Sequence, residues 1–268
     1  MTFYDIRTTL DNVMKMNDFK IILLVKIFKM TGILIELFLS WLLLKIVEKT
    51  SLSALGLQPT RRRIKDLAIG ILLTAPFLIA FSTGVAILIS NPYHLNPHYT
   101  FKDFLTATGY VFRAAVYEDL IFRGALLYIL IRRLGPRKGM LISAIAFGIY
   151  HWFSWGVLGQ PVQMLIVFAM TGVAGYIFAM AYERTGSLYL PFALHFGMDF
   201  AAMVILSQDK GIGLQLLSKT FMTDPISPGP VVSLLVILIH FTWFPILGFL
   251  YFRYMHRSSA SVRPLLRS

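Results

Sequence analysis

Three short runs of this chain place ionisable side chains inside long apolar stretches, and in two of them an ionisable pair stands one helical turn apart. The first is Arg113-Ala-Ala-Val-Tyr-Glu118-Asp119-Leu-Ile-Phe-Arg123-Gly124. Asp119 and Arg123 are four residues apart, share a helix face and can form an ion pair. Glu118 lies about 140° round from Arg123, so one carboxylate is neutralised and the other is left to face something else. A structural charge network, with Arg113 serving Glu118, is the plainer alternative. The second run is Phe147-Gly-Ile-Tyr-His151. Taken alone, its histidine reads as a neutral residue near a helix end. The third, His195-Phe-Gly-Met-Asp199, puts an imidazole and a carboxylate on one stripe. They could ligate one metal, or the acid could orient the histidine; a structural His–Asp bond between helices is the other option. His240 has no polar companion except Thr242 and reads as incidental, and His94, His98 and His256 fall in loops or the tail.

If their helices bundle, Glu118, His151, His195 and Asp199 converge into a site able to activate water, a carboxylate base beside imidazoles. A metal could sit there, and two histidines with carboxylates suit zinc. A glutamate–histidine pair can also work without one. Attack on an amide needs a donor for the developing oxyanion, which a histidine or arginine could supply. The chain has no cysteine, which excludes a thiol nucleophile, thiolate metal sites and disulfides.

The elements that must position these residues are membrane spans. Hydrophobic residues make up 57% of the 268, charged residues only 14%, and mean hydropathy is +0.70. A soluble domain carries about 25% charged residues, so the fold class is all-α, a polytopic transmembrane helical bundle. With about 20 apolar residues per crossing, spans are expected at 31–48, 66–90, 104–131, 139–155, 162–182, 188–207 and 231–252. These are seven, or eight if 19–30, interrupted by Lys20, Lys26 and Lys29, also enters the membrane. Breakers such as Asn91-Pro92, Gly135-Pro136 and Gly159-Gln160-Pro161 fall between spans. Trp152, Phe153 and Trp155 resemble an interfacial aromatic belt.

The net charge of +12 follows the loops, which removes a nucleic-acid partner. Lys45, Lys49, Arg61, Arg62, Arg63, Lys65, Arg132, Arg133, Arg137, Lys138, Arg184 and the tail arginines gather on one side. Lys102, Lys210 and Lys219 lie on the other. The richer side is expected in the cytoplasm together with the C-terminus. No cleavable signal peptide is read at the N-terminus. The domain reading is a basic interfacial segment at 1–30, a membrane domain at 31–252 with its motif core at 118–199, and a basic tail at 253–268.

These runs resemble the three motifs of the CPBP intramembrane protease family, which includes type II CAAX prenyl endopeptidases and bacteriocin-processing or Abi proteins. The family pattern is Glu-Glu-xxx-Arg, Phe-xxx-His and His-xxx-Asn in that order. Gly56-Leu57 followed by Arg61-Arg62-Arg63, and Arg184-Thr-Gly-Ser-Leu, are also similar to it, and the likeness runs from about Ser53 to Leu206. His-Glu-x-x-His, Gly-x-Ser-Gly and Gly-x-Gly-Asp, the marks of other intramembrane proteases, are absent.

The resemblance implies an endopeptidase acting on a membrane-associated peptide or protein. The look of the chain suggests a bacterial source, so a bacterial inner membrane is the expected location. Glu118 would activate water beside His151, and His195 would help the oxyanion. Asp199 would complete the site, with Asp119, Arg123 and Phe147 in support. A divalent metal such as zinc, if used, would be held by Glu118, His151, His195 and Asp199. Peptide precursors or membrane proteins are expected as substrates rather than prenylated ones. Two positions depart from the pattern: Asp119 replaces a Glu, and Asp199 replaces the Asn. An ionised Asp199 cannot donate a hydrogen bond as asparagine can. A non-catalytic scaffold or immunity protein, and a proton-coupled transporter, are the competing functions.

Overall fold

The computed structural model describes residues 32–206, 214–219 and 226–258. The basic segment 1–30 with its candidate span at 19–30, Lys210 and the tail beyond Ser258 lie outside the described residues. Helix α1 covers 32–47 and ends where Glu48 accepts Arg132 Nε at 3.1 Å and Arg133 Nε at 2.8 Å. Arg133 Nη2 also donates to the Val47 carbonyl at 2.9 Å, serving one of the acceptors that every helix end leaves open. A 3₁₀ turn, Leu52–Leu55, follows. Helix α2 is Arg61–Leu88, capped by the Thr60 hydroxyl accepting from Arg63 N.

Helix α3, Phe101–Arg123, begins with a capping box between Thr100 and Asp103. Hydrogen bonds from the Thr100 hydroxyl and amide hold the Asp103 carboxyl below the usual carboxylate range. The span expected at 104–131 is not one rod. Helix α3 stops at Gly124, and α4, Ala125–Leu134, starts after it. A side chain at Gly124 would run into the Leu120 carbonyl, so the chain can turn there only on a glycine. Helix α5, Pro136–Ser154, doubles back from α4 through Gly135 at φ 82°, with proline at a first-turn position where no amide hydrogen is needed.

Helix α6 is Pro161–Thr185 and α7 is Tyr189–Phe200. The span expected at 188–207 is likewise composite, because α7 passes into a single π-helical turn, Ala201–Ile205. Helix α8 is Pro230–Ser258. The connections also hold a ribbon that an all-α reading lacks: β1, Tyr93–Leu95, pairs antiparallel with β2, Leu217–Lys219. Among the described residues, three helices are by length and composition able to cross a membrane: α2, α6 and α8 over Pro230–Tyr254. The fold is therefore a largely helical membrane bundle.

Two contacts fix where α7 lies. Gly197 faces α2 so closely that a side chain there would overlap Thr74 Oγ1 and the Ile71 backbone, while Gly70 meets Ala193 in the same way. Small residues let helix backbones approach like this in lipid. Gly197 is two residues from both His195 and Asp199, so these two point about 160° away from α2. The second contact explains two segments singled out in the sequence. The turn before α2 and the Arg184-Thr-Gly-Ser-Leu run pack together. Leu188 N donates to Leu55 O at 3.3 Å, Tyr182 Oη to Ala54 O at 3.3 Å and Tyr189 Oη to Leu57 O at 3.1 Å.

Candidate active site

Helix α3 carries Asp119 and Arg123 into the bundle, and the pair expected from their spacing forms, Arg123 Nη1 donating to Asp119 Oδ1 at 3.1 Å. Arg123 is fully buried and Asp119 nearly so, their side chains 0% and 2% exposed. Arg123 Nε and Nη2 have no hydrogen-bond partner. Aromatic rings take that place: the guanidinium carbon lies 3.9 Å from the centre of the Phe147 ring, 4.8 Å from Phe178 and 5.8 Å from Phe122. A cation over ring faces recovers part of the lost hydration. An ion pair this deep is costly to desolvate but still costlier to break from one side.

Phe147, on α5, joins the three motifs. Its ring covers Arg123 and meets His151 edge-on at 4.4 Å and His195 at 5.8 Å. Its backbone carbonyl lies 2.8 Å from His151 Nδ1. A carbonyl only accepts, so Nδ1 carries the proton. His151 Nε2 then faces Glu118 Oε2 at 3.9 Å. That is too long for a direct hydrogen bond and suits one water between the two.

His195, on α7, touches all three carboxylates. Its Nε2 is 3.7 Å from Glu118 Oε2 and 3.4 Å from Asp199 Oδ2, and its Nδ1 is 3.5 Å from Asp119 Oδ2. His195 Nδ1 and Asp119 Oδ2 both lack a partner at hydrogen-bond length; they face each other across this slightly long contact. A neutral imidazole has a single N–H. Carboxylates on both sides match either a ring protonated on both nitrogens or a proton on Asp199. Phe178 of α6 stacks on the other face of the imidazole at 5.0 Å.

The four expected side chains thus meet, with Asp119, Arg123 and Phe147 behind them. Exposure divides the set: Glu118 is 17% and Asp199 32% exposed at the side chain, whereas both histidines are below 10%. The ion-pair contacts of Glu118 among the described residues run to the two histidines, not to Arg113. Sequence reading missed Phe178 and Phe122, since one phenylalanine in an apolar helix looks like any other. Trp152, expected in an interfacial belt, donates from Nε1 to Met164 O at 2.8 Å and ties α5 to α6. Trp155 lies against the His151 ring at 5.6 Å. His240 packs near Phe81 at 6.1 Å. Among the described residues no three His, Asp or Glu side chains are grouped to hold one metal ion. As placed, the donors do not fit a zinc site.

Buried acids and imidazoles thus meet inside an apolar helical bundle. Residues 100–201 match the family model described as Type II CAAX prenyl endopeptidase Rce1-like. The match spans all three motifs and supports the CPBP family. That family is one of proteases, and the long apolar helices point to a membrane protein. No curated protein and no solved structure matches the chain.

Proposed function

We propose that this chain is an intramembrane endopeptidase that hydrolyses a peptide bond of a membrane-associated peptide or protein. The observation that carries the reading is the meeting of Glu118, His151 and His195, with Glu118 Oε2 3.7 to 3.9 Å from the two imidazoles. That is close enough for one water beside them to bond to both an imidazole and the carboxylate. A water there donates one hydrogen to Glu118 and the other to His151 Nε2. As its oxygen adds to the substrate carbonyl carbon, Glu118 takes the first proton. The carbonyl oxygen becomes an oxyanion and accepts an N–H from His195. When the C–N bond breaks, Glu118 returns its proton to the departing amine, leaving a carboxyl and an amine terminus. Asp199 holds His195 from the open side. Asp119 and Arg123 hold the helices in place and do no chemistry. No step runs through a metal.

Residues 31–252 form the membrane domain in this reading. The basic ends of α1, α4, α5 and α6 face the cytoplasm of a bacterial inner membrane, and the C-terminus lies on that side. No separate observation favours a scaffold, immunity or transport role. The test is a Glu118→Gln variant of the purified chain, incubated with a mixed pool of membrane peptides whose products are read by mass spectrometry. The wild type is expected to generate new termini and the variant none, with equal thermal stability. Equal product yields would overturn the assignment of the base.

A further inference from the structure

A second feature lies at the other end of α5, away from His151. A cavity of about 500 Å³ opens where α4 turns into α5 and beside the last turns of α6. Of its lining residues Arg137, Lys138 and Arg184 are exposed and form the mouth, while Met140 is buried and Met180 half-buried, towards the floor. Glu183 also lines it and lies 3.3 Å from Arg184 Nε, so the lining keeps an excess of two positive charges. Arg137 and Lys138 are exposed and make no ion pair among the described residues. Below them, Leu141, Ile145 and Ile149 are exposed apolar side chains at successive intervals of four. With Arg137 they form one ridge along α5. A cationic mouth, an apolar floor and an apolar ridge leading away have the shape of an amphiphile.

We propose that this cavity binds the phosphate headgroup of an anionic glycerophospholipid. Arg137, Lys138 and Arg184 hold the phosphate, and an acyl chain lies along the Leu141–Ile145–Ile149 ridge. Charge complementarity chooses an anionic lipid over a zwitterionic one, and the ridge chooses a lipid over a free phosphate. The site is independent of peptide cleavage and stands or falls without it.

The test uses the full-length protein in neutral detergent, titrated with fluorescent phosphatidylglycerol and, separately, fluorescent phosphatidylcholine. Roughly thirtyfold tighter binding of phosphatidylglycerol is expected from two net charges at the mouth. The triple variant Arg137→Ala, Lys138→Ala, Arg184→Ala should lose that preference, and Arg137→Lys with Arg184→Lys should keep it. Millimolar inorganic phosphate should fail to displace the lipid. Equal affinity for the two lipids, an unchanged preference in the triple variant, or displacement by phosphate alone would each overturn the proposal. If the triple variant does not fold, a salt titration of the wild type decides: the preference should fall as salt screens the mouth, and a salt-independent preference would refute the site.

Discussion

Glu118 and Asp119 are neighbours in sequence and opposites in surroundings. Asp119 is sealed against Arg123, beneath the Phe147 and Phe178 rings that cover the guanidinium. Glu118, one residue earlier, faces two imidazoles at 3.7 and 3.9 Å, beyond direct hydrogen-bond length, and keeps part of its surface open. A rotation of about 100° round one helix separates them. The difference teaches how a bundle in lipid can keep a second carboxylate partly open. One acid is neutralised within α3 by Arg123, whose guanidinium packs on Phe147 of α5 and Phe178 of α6. That packing leaves the other acid on a face with part of its surface exposed.

The comparison can be broken most directly at the open acid. Glu118→Gln should lower cleavage by about 10²- to 10⁴-fold, the usual range for removing a general base, and leave thermal unfolding unchanged. A variant that unfolds instead would show that Glu118 too is an anchor. Arg123→Met attacks the sealed acid. It leaves Asp119 buried and uncompensated, and about 3–5 kcal/mol of stability should go, read as early unfolding in detergent. Restored stability in the double variant Asp119→Leu, Arg123→Met would separate the anchor from the chemistry.

Smaller effects sharpen the same contrast. Gly197→Ala drives a methyl group into Thr74 and should cost about 1–3 kcal/mol by overpacking. Cleavage should fall as well, because α7 carries His195 and Asp199. A stable variant of full activity would mean that the α2–α7 contact does not set the position of His195. Tyr182→Phe removes one hydrogen bond to Ala54 and should cost only about 1 kcal/mol, with the cleavage rate per folded molecule unchanged.

The motif pairs were legible from sequence because their members share a helix. Asp119 with Arg123, Phe147 with His151, and His195 with Asp199 each span one turn, and each pair lies within one helix of the structure. The spans were legible only as apolar lengths. The break at Gly124 was hidden because glycine within a hydrophobic run gives no sign of whether the chain continues or turns. The π-helical turn after Phe200 and the ribbon between Tyr93–Leu95 and Leu217–Lys219 left no pattern either, since each depends on a distant partner. Phe178 was invisible for the same reason. Its value lies in the rings and charges from α3 and α7 that it touches.

The sequence by itself determined that the chain seeks lipid and that three helices each carry a motif pair one turn apart on one face. Both follow from local quantities, composition and the 3.6-residue turn, which no tertiary contact can alter. Only the tertiary structure decided that His195 stands between Asp119 and Asp199, that Glu118 opens towards His151, and that Arg123 trades water for aromatic rings. Those outcomes depend on how closely helices approach, which Gly197 against Thr74 sets from the far side of α7. Such distances arise between segments remote in sequence, where no local spacing can specify them.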